Sequence, residues 1–374
     1  MERILALIGP TATGKTALSV RLAEELGGEI ISGDSMQIYR GLDIGTAKIT
    51  PAEARGIPHY LIDSREHWES FTVADYQRLA REKIADIASR GKRPILAGGS
   101  GLYLYGALYN YTFRPENTAG AEPTFGSGTA GALAKTAGAV EGVDGTTEPP
   151  VTLGAAPVEP IAPLGAVEPP PASGDELWRR LRAVDPVTAD RLHPHDQKRA
   201  RRALAYYQLH GEPISRNNQA LAAPELVLPT LLLGLYLPRP LLYNRIDRRV
   251  DQMLDDGLVA EVKRLRAAGL TRDSQAGQAI GYKRLLDYLD GAGGSLAETA
   301  ELIKRDSRRY AKRQLTWFRR DDRILWLDGE RMATEAGREI LLNGIGRSER
   351  EGWDLAALAQ YLQAAGLISS KERA

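Results

Sequence analysis

The apolar and polar positions along the chain alternate between strand-like and helix-like spacing. Ile4–Ile8 (ILALI) is a short unbroken apolar run, as expected for a strand buried on both faces. Ala17–Leu26 follows with apolar residues at helical spacing. Ile30 and Ile31 mark a second short strand, with Gly33-Asp34-Ser35 at its carboxyl end, and His59–Asp63 reads as a third. Thr72–Arg90 carries Val73, Tyr76, Leu79, Ala80, Ile84 and Ile87 at helical intervals. Pro94–Ala97 is a further buried-type strand, and Gly98-Gly99-Ser100-Gly101 turns it into a helix through Leu102–Leu108. In the second half, helices are predicted over Glu176–Val184, over Val187–Leu192, and from a cap at Asp196 to about Leu209. Leu231–Leu237 reads as a central strand, Arg239–Leu265 as one helix, Gln278–Lys283 as the start of another, Ala297–Arg320 as a long helix, and Ile324–Leu327 as an edge strand. Strands alternating with helices predict an α/β fold with a parallel sheet.

The pattern fails in one place. Residues 116–173 are rich in Gly, Ala, Pro, Thr and Glu, show neither helical nor strand period, and contain Pro149-Pro150 and Pro169-Pro170-Pro171. Such a stretch buries too little apolar surface to offset the entropy of ordering it, and it reads as a disordered insertion. The resulting organisation is a core over 1–115, the insertion over 116–173, a helical accessory region over 174–225, a second part of the core over 226–330, and a weakly patterned tail over 331–374.

The candidate chemistry centres on Gly9-Pro10-Thr11-Ala12-Thr13-Gly14-Lys15-Thr16, which reads G-x-x-x-x-G-K-T between a strand and a helix, the setting of a phosphate-binding loop. Gly9 and Gly14 let backbone N–H groups converge on an anion, and the helix N-terminus adds partial positive charge. Lys15 supplies a cation and Thr16 a hydroxyl for Mg²⁺. Functional residues of open parallel sheets sit at the carboxyl ends of strands, which places Asp34 near this loop.

Composition narrows the field. Hydrophobic content is 43%, enough for a sizeable core, and the absence of Cys excludes disulfides, thiolate metal sites and Cys nucleophiles. That fits a cytoplasmic protein. The first apolar run, five residues ending in Gly-Pro, is too short for a signal peptide or membrane span. Net charge is only +1, but 116–173 hold seven acids against Lys135, so the remainder of the chain is basic. Lys198, Arg199, Arg201 and Arg202 open one helix. Lys304, Arg305, Arg308, Arg309, Lys312, Arg313, Arg319 and Arg320 crowd another, interleaved with Tyr310, Trp317 and Phe318. Arginine with aromatics can hold phosphates and stack unpaired bases. A basic run is as often a solvated face, and His193 with His195 reads as structural rather than metal-binding.

Several stretches together resemble the bacterial tRNA dimethylallyltransferases. They are GPTATGKT at 9–16, Asp34-Ser35-Met36-Gln37-Ile38-Tyr39 with Gly41–Lys48, and Gly98–Tyr103. Asp185-Pro186, His193–Asp196, Arg245-Ile246 with Arg249, Ile280-Gly281-Tyr282 and Lys312–Arg319 complete the set. The resemblance covers about 1–115 and 175–328 and departs over 116–173, where the family has part of a helical tRNA-gripping insertion. It implies a P-loop NTPase-like sheet with flanking helices and a mostly helical inserted accessory region. It also implies transfer of a dimethylallyl group from its diphosphate to N6 of the adenosine 3′ of the anticodon, in tRNAs reading codons that begin with U. Asp34, Thr16 and Lys15 would be catalytic. Gly9, Thr11, Ala12, Thr13, Gly14, Lys15, Thr16 and Arg249 would bind diphosphate, with Mg²⁺ on Thr16. Asp34, Ser35, Met36, Gln37 and Ser100 would contact the tRNA, with Thr11 and Ser100 bordering the target base. Further tRNA contacts would come from Lys198, Arg199, Ala200, Arg201 and Arg202, and from Gln278, Ala279, Ile280, Gly281, Tyr282 and Lys283. Lys312, Arg313, Gln314, Leu315, Thr316, Trp317, Phe318 and Arg319 would supply the rest. The implied partners are the tRNA anticodon stem-loop and dimethylallyl diphosphate, with no membrane, and the protein would be a monomer. A phosphate loop alone also fits a small-molecule kinase, similar chemistry occurs in adenylate isopentenyltransferases, and a basic face fits a non-catalytic RNA-binding protein.

Overall fold

The computed structural model describes residues 3–113, 174–216, 225–292 and 294–368. The insertion expected at 116–173 lies outside them. The chain divides into two units, 1–126 with 224–374 and 127–223.

The first unit is built on a sheet of six parallel strands: β1 (Ile4–Ile8), β2 (Gly28–Gly33), β3 (His59–Tyr60), β4 (Arg93–Gly98), β5 (Thr230–Tyr236) and β6 (Leu325–Asp328). Their order is β3-β2-β4-β1-β5-β6, so the chain winds from β1 to one side and later to the other. All-parallel sheets bury both faces, which is why β1 is apolar throughout and every residue of it is at most 1% exposed. Register fixes the geometry of the edge: Ile8 pairs with Gly98, and Gly98 with Gly33. The loops after β1, β2 and β4 therefore leave the sheet at one level, at the point where the winding reverses.

Helices α1 (Lys15–Leu26), α2 (Pro51–Ala54), α3 (Val73–Ser89) and α4 (Gly101–Leu108) lie between the early strands. A capping box at Thr72 with Asp75 starts α3, and Gly27 in the left-handed conformation ends α1. The second unit contains α5 (Gly174–Val184), α6 (Pro186–Arg191) and α7 (Gln197–His210), packed on Leu181, Ala189, Ala200 and Ala203. Asp185 caps α6 and also accepts the Ser215 N–H at 2.9 Å, and Asp196 caps α7.

Three expectations need correction. Arg239–Leu265 is two helices, α8 (Arg239–Asp255) and α9 (Leu258–Ala267), because Gly257 turns the backbone at φ 99° between them. The strand at His59–Asp63 stops after Tyr60, where Leu61 and Asp63 take positive φ. The tail, weakly patterned in sequence, is structured over its described residues to Ile368. After α10 (Ile280–Leu289) and α11 (Leu296–Phe318), which opens on a capping box at Ser295, the chain forms α12 (Glu335–Arg350) and α13 (Leu355–Ala364). Leu341, Ile345, Leu358 and Leu362 are each at most 2% exposed and belong to the same apolar cluster as Leu5, Leu7, Leu231 and Leu233.

Leu341→Ala should therefore destabilise the protein by about 2–5 kcal/mol, the cost of a core cavity. Urea unfolding should show a lower midpoint at unchanged slope. A wild-type midpoint would mean that α12 is not part of the core.

Candidate active site

Gly9–Thr16 joins β1 to α1. Gly9 has φ 142°, and a Cβ there would lie 2.6 Å from the Leu235 carbonyl oxygen, so only glycine lets the loop pass β5. Ala12 and Gly14 also take positive φ, at 64° and 95°, which curls the loop into a concavity of N–H groups. Gly14 caps α1 with no side-chain bond, leaving the first-turn N–H groups for an anion. Thr13 Oγ1 turns inward to the Pro10 carbonyl at 2.9 Å, and Lys15 Nζ donates to that same oxygen.

The electrostatics favour an anionic guest. Lys15 is pushed down to about 7, chiefly by desolvation and next by the positive charge of Arg249, against the pull of Asp34. Arg249, on α8, is likewise lowered by burial and supported by Asp34. Two cations and one carboxylate thus face one another beside the loop.

Asp34 follows β2. Its Oδ1 accepts the Met36 N–H at 2.8 Å, a turn that fixes the carboxylate. Ser100 Oγ accepts the Ser35 N–H at 3.0 Å and donates to Ser35 Oγ at 3.2 Å, which joins the β2 and β4 loops. Tyr310 of α11 meets this cluster, within hydrogen-bond reach of Ser100 and Gln314. Its hydroxyl is pushed up to about 12 by burial and by the Asp34 charge.

The structure gathers Gly9–Thr16, Asp34, Ser35, Ser100 and Arg249 at one end of the sheet. Thr16 is exposed, and among the described residues no group of three His, Asp or Glu could hold a metal ion. Oxygen from Thr16 fits a Mg²⁺ that takes its other ligands from phosphate and water.

The stretches expected to touch tRNA divide. Lys198, Arg199, Arg201 and Arg202 are exposed on α7 in the second unit, while Ala200 is buried there. On α11, Lys312, Arg313 and Thr316 are exposed, as is Arg319 at its C-cap, with Leu315 and Trp317 partly so. Gln314 and Phe318 are buried, at 6% and 0%. Gly281 and Tyr282 are buried too, as is Ala279, while Gln278, Ile280 and Lys283 are partly exposed. Tyr282 donates to Glu261, whose carboxylate also accepts the N–H groups of Asp43, Ile44 and Gly45 at 3.2, 2.9 and 3.3 Å. The Ile280–Tyr282 motif thus anchors the loop at Gly41–Lys48. Gln37 is similarly inward, accepting from Ser32 and donating to the Thr46 and Ala47 carbonyls, with Met36 half-exposed beside it.

The basic run on α11 divides as well. Lys304 and Arg308 pair with Asp251 and Asp247 of α8, and Arg305 and Arg309 with Asp306. Sequence reasoning missed Glu261, which no motif marks. It noted Tyr310 only as an aromatic among bases, although its place four residues before Gln314 puts both on one helix face.

A family model described as IPP transferase matches residues 37–136 and 168–321. The tRNA dimethylallyltransferase of Geobacillus kaustophilus is 44% identical over 337 residues, covering 90% of this chain and 92% of that protein. The Bacillus subtilis enzyme of the same name is 43% identical over 87% of this chain and 91% of its own length. Among solved structures, the tRNA isopentenylpyrophosphate transferase of Bacillus halodurans matches with 36% identity and a TM-score of 0.59, covering 98% of this chain and all of its own. A eukaryotic dimethylallyltransferase acting on tRNA matches with 27% identity and a TM-score of 0.66, over 93% of this chain and 80% of that one. The chain belongs to the IPP transferase family, in the company of the tRNA dimethylallyltransferases.

Proposed function

We propose that the protein transfers a dimethylallyl group from dimethylallyl diphosphate to N6 of the adenosine 3′ of the anticodon, in tRNAs reading codons that begin with U. One observation carries the reading: α11, which exposes Lys312 and Arg313 on its outer face, bonds through Gln314 to the phosphate loop and reaches the Ser35–Ser100 pair beside Asp34 through Tyr310. A small-molecule kinase needs the loop but not the basic helix.

In the reaction the allylic C–O bond breaks, a C–N bond forms at N6, diphosphate leaves, and N6 loses a proton. The loop N–H groups with Lys15 and Arg249 receive the leaving diphosphate and stabilise its growing charge. A bound Mg²⁺ would be held by Thr16 and the diphosphate and would neutralise part of that charge. N6 is a weak nucleophile because its lone pair is delocalised into the ring, so a base at N6 accelerates attack. Asp34 supports that role: its Oδ1 is fixed by Met36, and Oδ2 takes no hydrogen bond from the described residues. Thr11 and Ser100 border the base, which must leave its stack to reach them. Lys312, Arg313 and Arg319, with the α7 bases, engage the tRNA backbone. Among the described residues no helix is long and apolar enough to cross a membrane.

Mass spectrometry of unmodified tRNA incubated with the protein and dimethylallyl diphosphate should show one added dimethylallyl group at that adenosine. No added mass would overturn the reading.

Asp34→Asn should keep substrate binding and slow single turnover by roughly 10²–10⁴-fold, the usual worth of a positioned base. Extra Mg²⁺ should not restore the rate. Recovery with Mg²⁺ would assign Asp34 to the metal, and a near-normal rate would remove it from the mechanism.

Desolvation of Lys15 makes diphosphate binding depend on pH. The diphosphate binds the protonated amine, which in the free protein is lost as pH rises through about 7. Affinity for dimethylallyl diphosphate should then fall above pH 7, by at most about tenfold per pH unit, with proton uptake on binding. Arg249→Gln removes the neighbouring charge, so the fall should begin at higher pH. Calorimetry in buffers of different ionisation enthalpy reads both effects, and a pH-independent affinity between 6 and 9 would contradict them.

A further inference from the structure

Gln314 lies on the inner side of α11, 6% exposed, with both ends of its amide in use. Its Oε1 accepts the Thr11 N–H of the phosphate loop at 3.1 Å, and its Nε2 donates to the Gly99 carbonyl at 2.9 Å. A Cβ on Gly99 would sit 2.3 Å from Nε2 and push the amide off the Gly99 carbonyl, so glycine leaves room for this bond. The side chain thus clasps the loops after β1 and β4 together.

The same helix reaches the other diphosphate group. Arg308 and Lys304 pair with Asp247 and Asp251, which flank Arg249 on α8. Ala311 packs in one cluster with Leu242 and Ile246, and Ala12 of the phosphate loop rests against it. In the same turns of the helix, Lys312, Arg313 and Thr316 are exposed on the outer face. A single rigid element therefore carries exposed bases on one side and holds the two parts of the diphosphate site on the other.

We propose that α11 couples the two substrates, with Gln314 as the positioning residue through which tRNA docking on the outer face sets the phosphate loop for dimethylallyl diphosphate. The proposal rests on the substrates named above. Coupling of this kind is a free energy shared by two sites, so it is reciprocal: each substrate tightens the other by the same factor. Gln314 acts by fixing where Thr11 and Gly99 stand, not by touching either substrate.

The test measures affinity for the unreactive dimethylallyl thiolodiphosphate, with and without a saturating unmodified tRNA transcript, in the full-length protein. The wild type should show a ratio of roughly 5-fold or more, within the usual range of coupling. In Gln314→Ala the ratio should fall to within about 2-fold. Because the ratio is taken within each variant, a general loss of affinity or stability cancels. Gln314→Glu keeps the acceptor for Thr11 but sets a carboxylate against the Gly99 carbonyl, and it should not restore the ratio. Amide hydrogen exchange of the wild type supplies a readout free of mutation: residues 9–16 should exchange more slowly with tRNA bound. A wild-type ratio of one, an unaltered ratio in Gln314→Ala, or unchanged exchange at 9–16 would overturn the coupling while leaving the functional reading in place. Failure of the wild type to bind either substrate would overturn both.

Discussion

The site depends on positive charge held where water is scarce. Lys15 and Arg249 are each lowered by desolvation and stand within electrostatic reach of one another, with Asp34 offsetting part of the cost. Such an arrangement is unfavourable until an anion arrives, and it has to be held by structure elsewhere. The holding is visible in α8. Ile246 and Val250 are buried beside Arg249, and Asp247 and Asp251 are tied to Arg308 and Lys304 of α11. The unfavourable pair is thus placed by favourable pairs outside the site.

The second constraint is closeness. A Cβ on Gly98 would lie 2.3 Å from the Gly33 carbonyl oxygen, and one on Gly101 would lie 2.3 Å from Trp317. Because β1, β2 and β4 end in register, their loops would meet any ligand at one depth, and the missing side chains let α11 come down onto them. The phosphate loop is therefore not an isolated anion trap. Thr11 gives its N–H to Gln314, which leaves the anion to the rest of the loop and to the first turn of α1.

Much of this was legible in the sequence for a physical reason. The strand–loop–helix at 4–26 is encoded locally, by an apolar run, glycines at fixed offsets and an amphipathic helix, so its place and chemistry could be read directly. Gly257 breaks a pattern whose apolar spacing continues across it, and spacing alone cannot see a turn at φ 99°. The helices at Glu335–Arg350 and Leu355–Ala364 were illegible because their apolar residues complete a core made by distant strands. Glu261 was invisible for a related reason. A lone acid on a helix is normally solvated, and only the fold brings three N–H groups and the Tyr282 hydroxyl to it.

The basic run shows what composition overstates. Eight Lys and Arg residues between 304 and 320 suggest eight phosphate contacts. In the fold, Lys304, Arg305, Arg308 and Arg309 are engaged with carboxylates of the same chain. The helix period decides this division. Ile303, Ala311, Gln314 and Phe318 form the buried stripe, residues beside that stripe meet α8, and Lys312, Arg313, Thr316 and Arg319 fall on the outer face. Since salt dependence counts only the phosphates that bases neutralise in the complex, the paired residues contribute to it only by giving up their carboxylates. Of those carboxylates, Asp247 and Asp251 hold the helix that carries Arg249, so freeing Arg308 and Lys304 would loosen its placement, whereas Asp306 lies within α11 itself. Lys304 and Arg308 are therefore committed to architecture, while Arg305 and Arg309, tied to Asp306 within their own helix, remain with the residues past Tyr310 as candidates for the proposed RNA contacts.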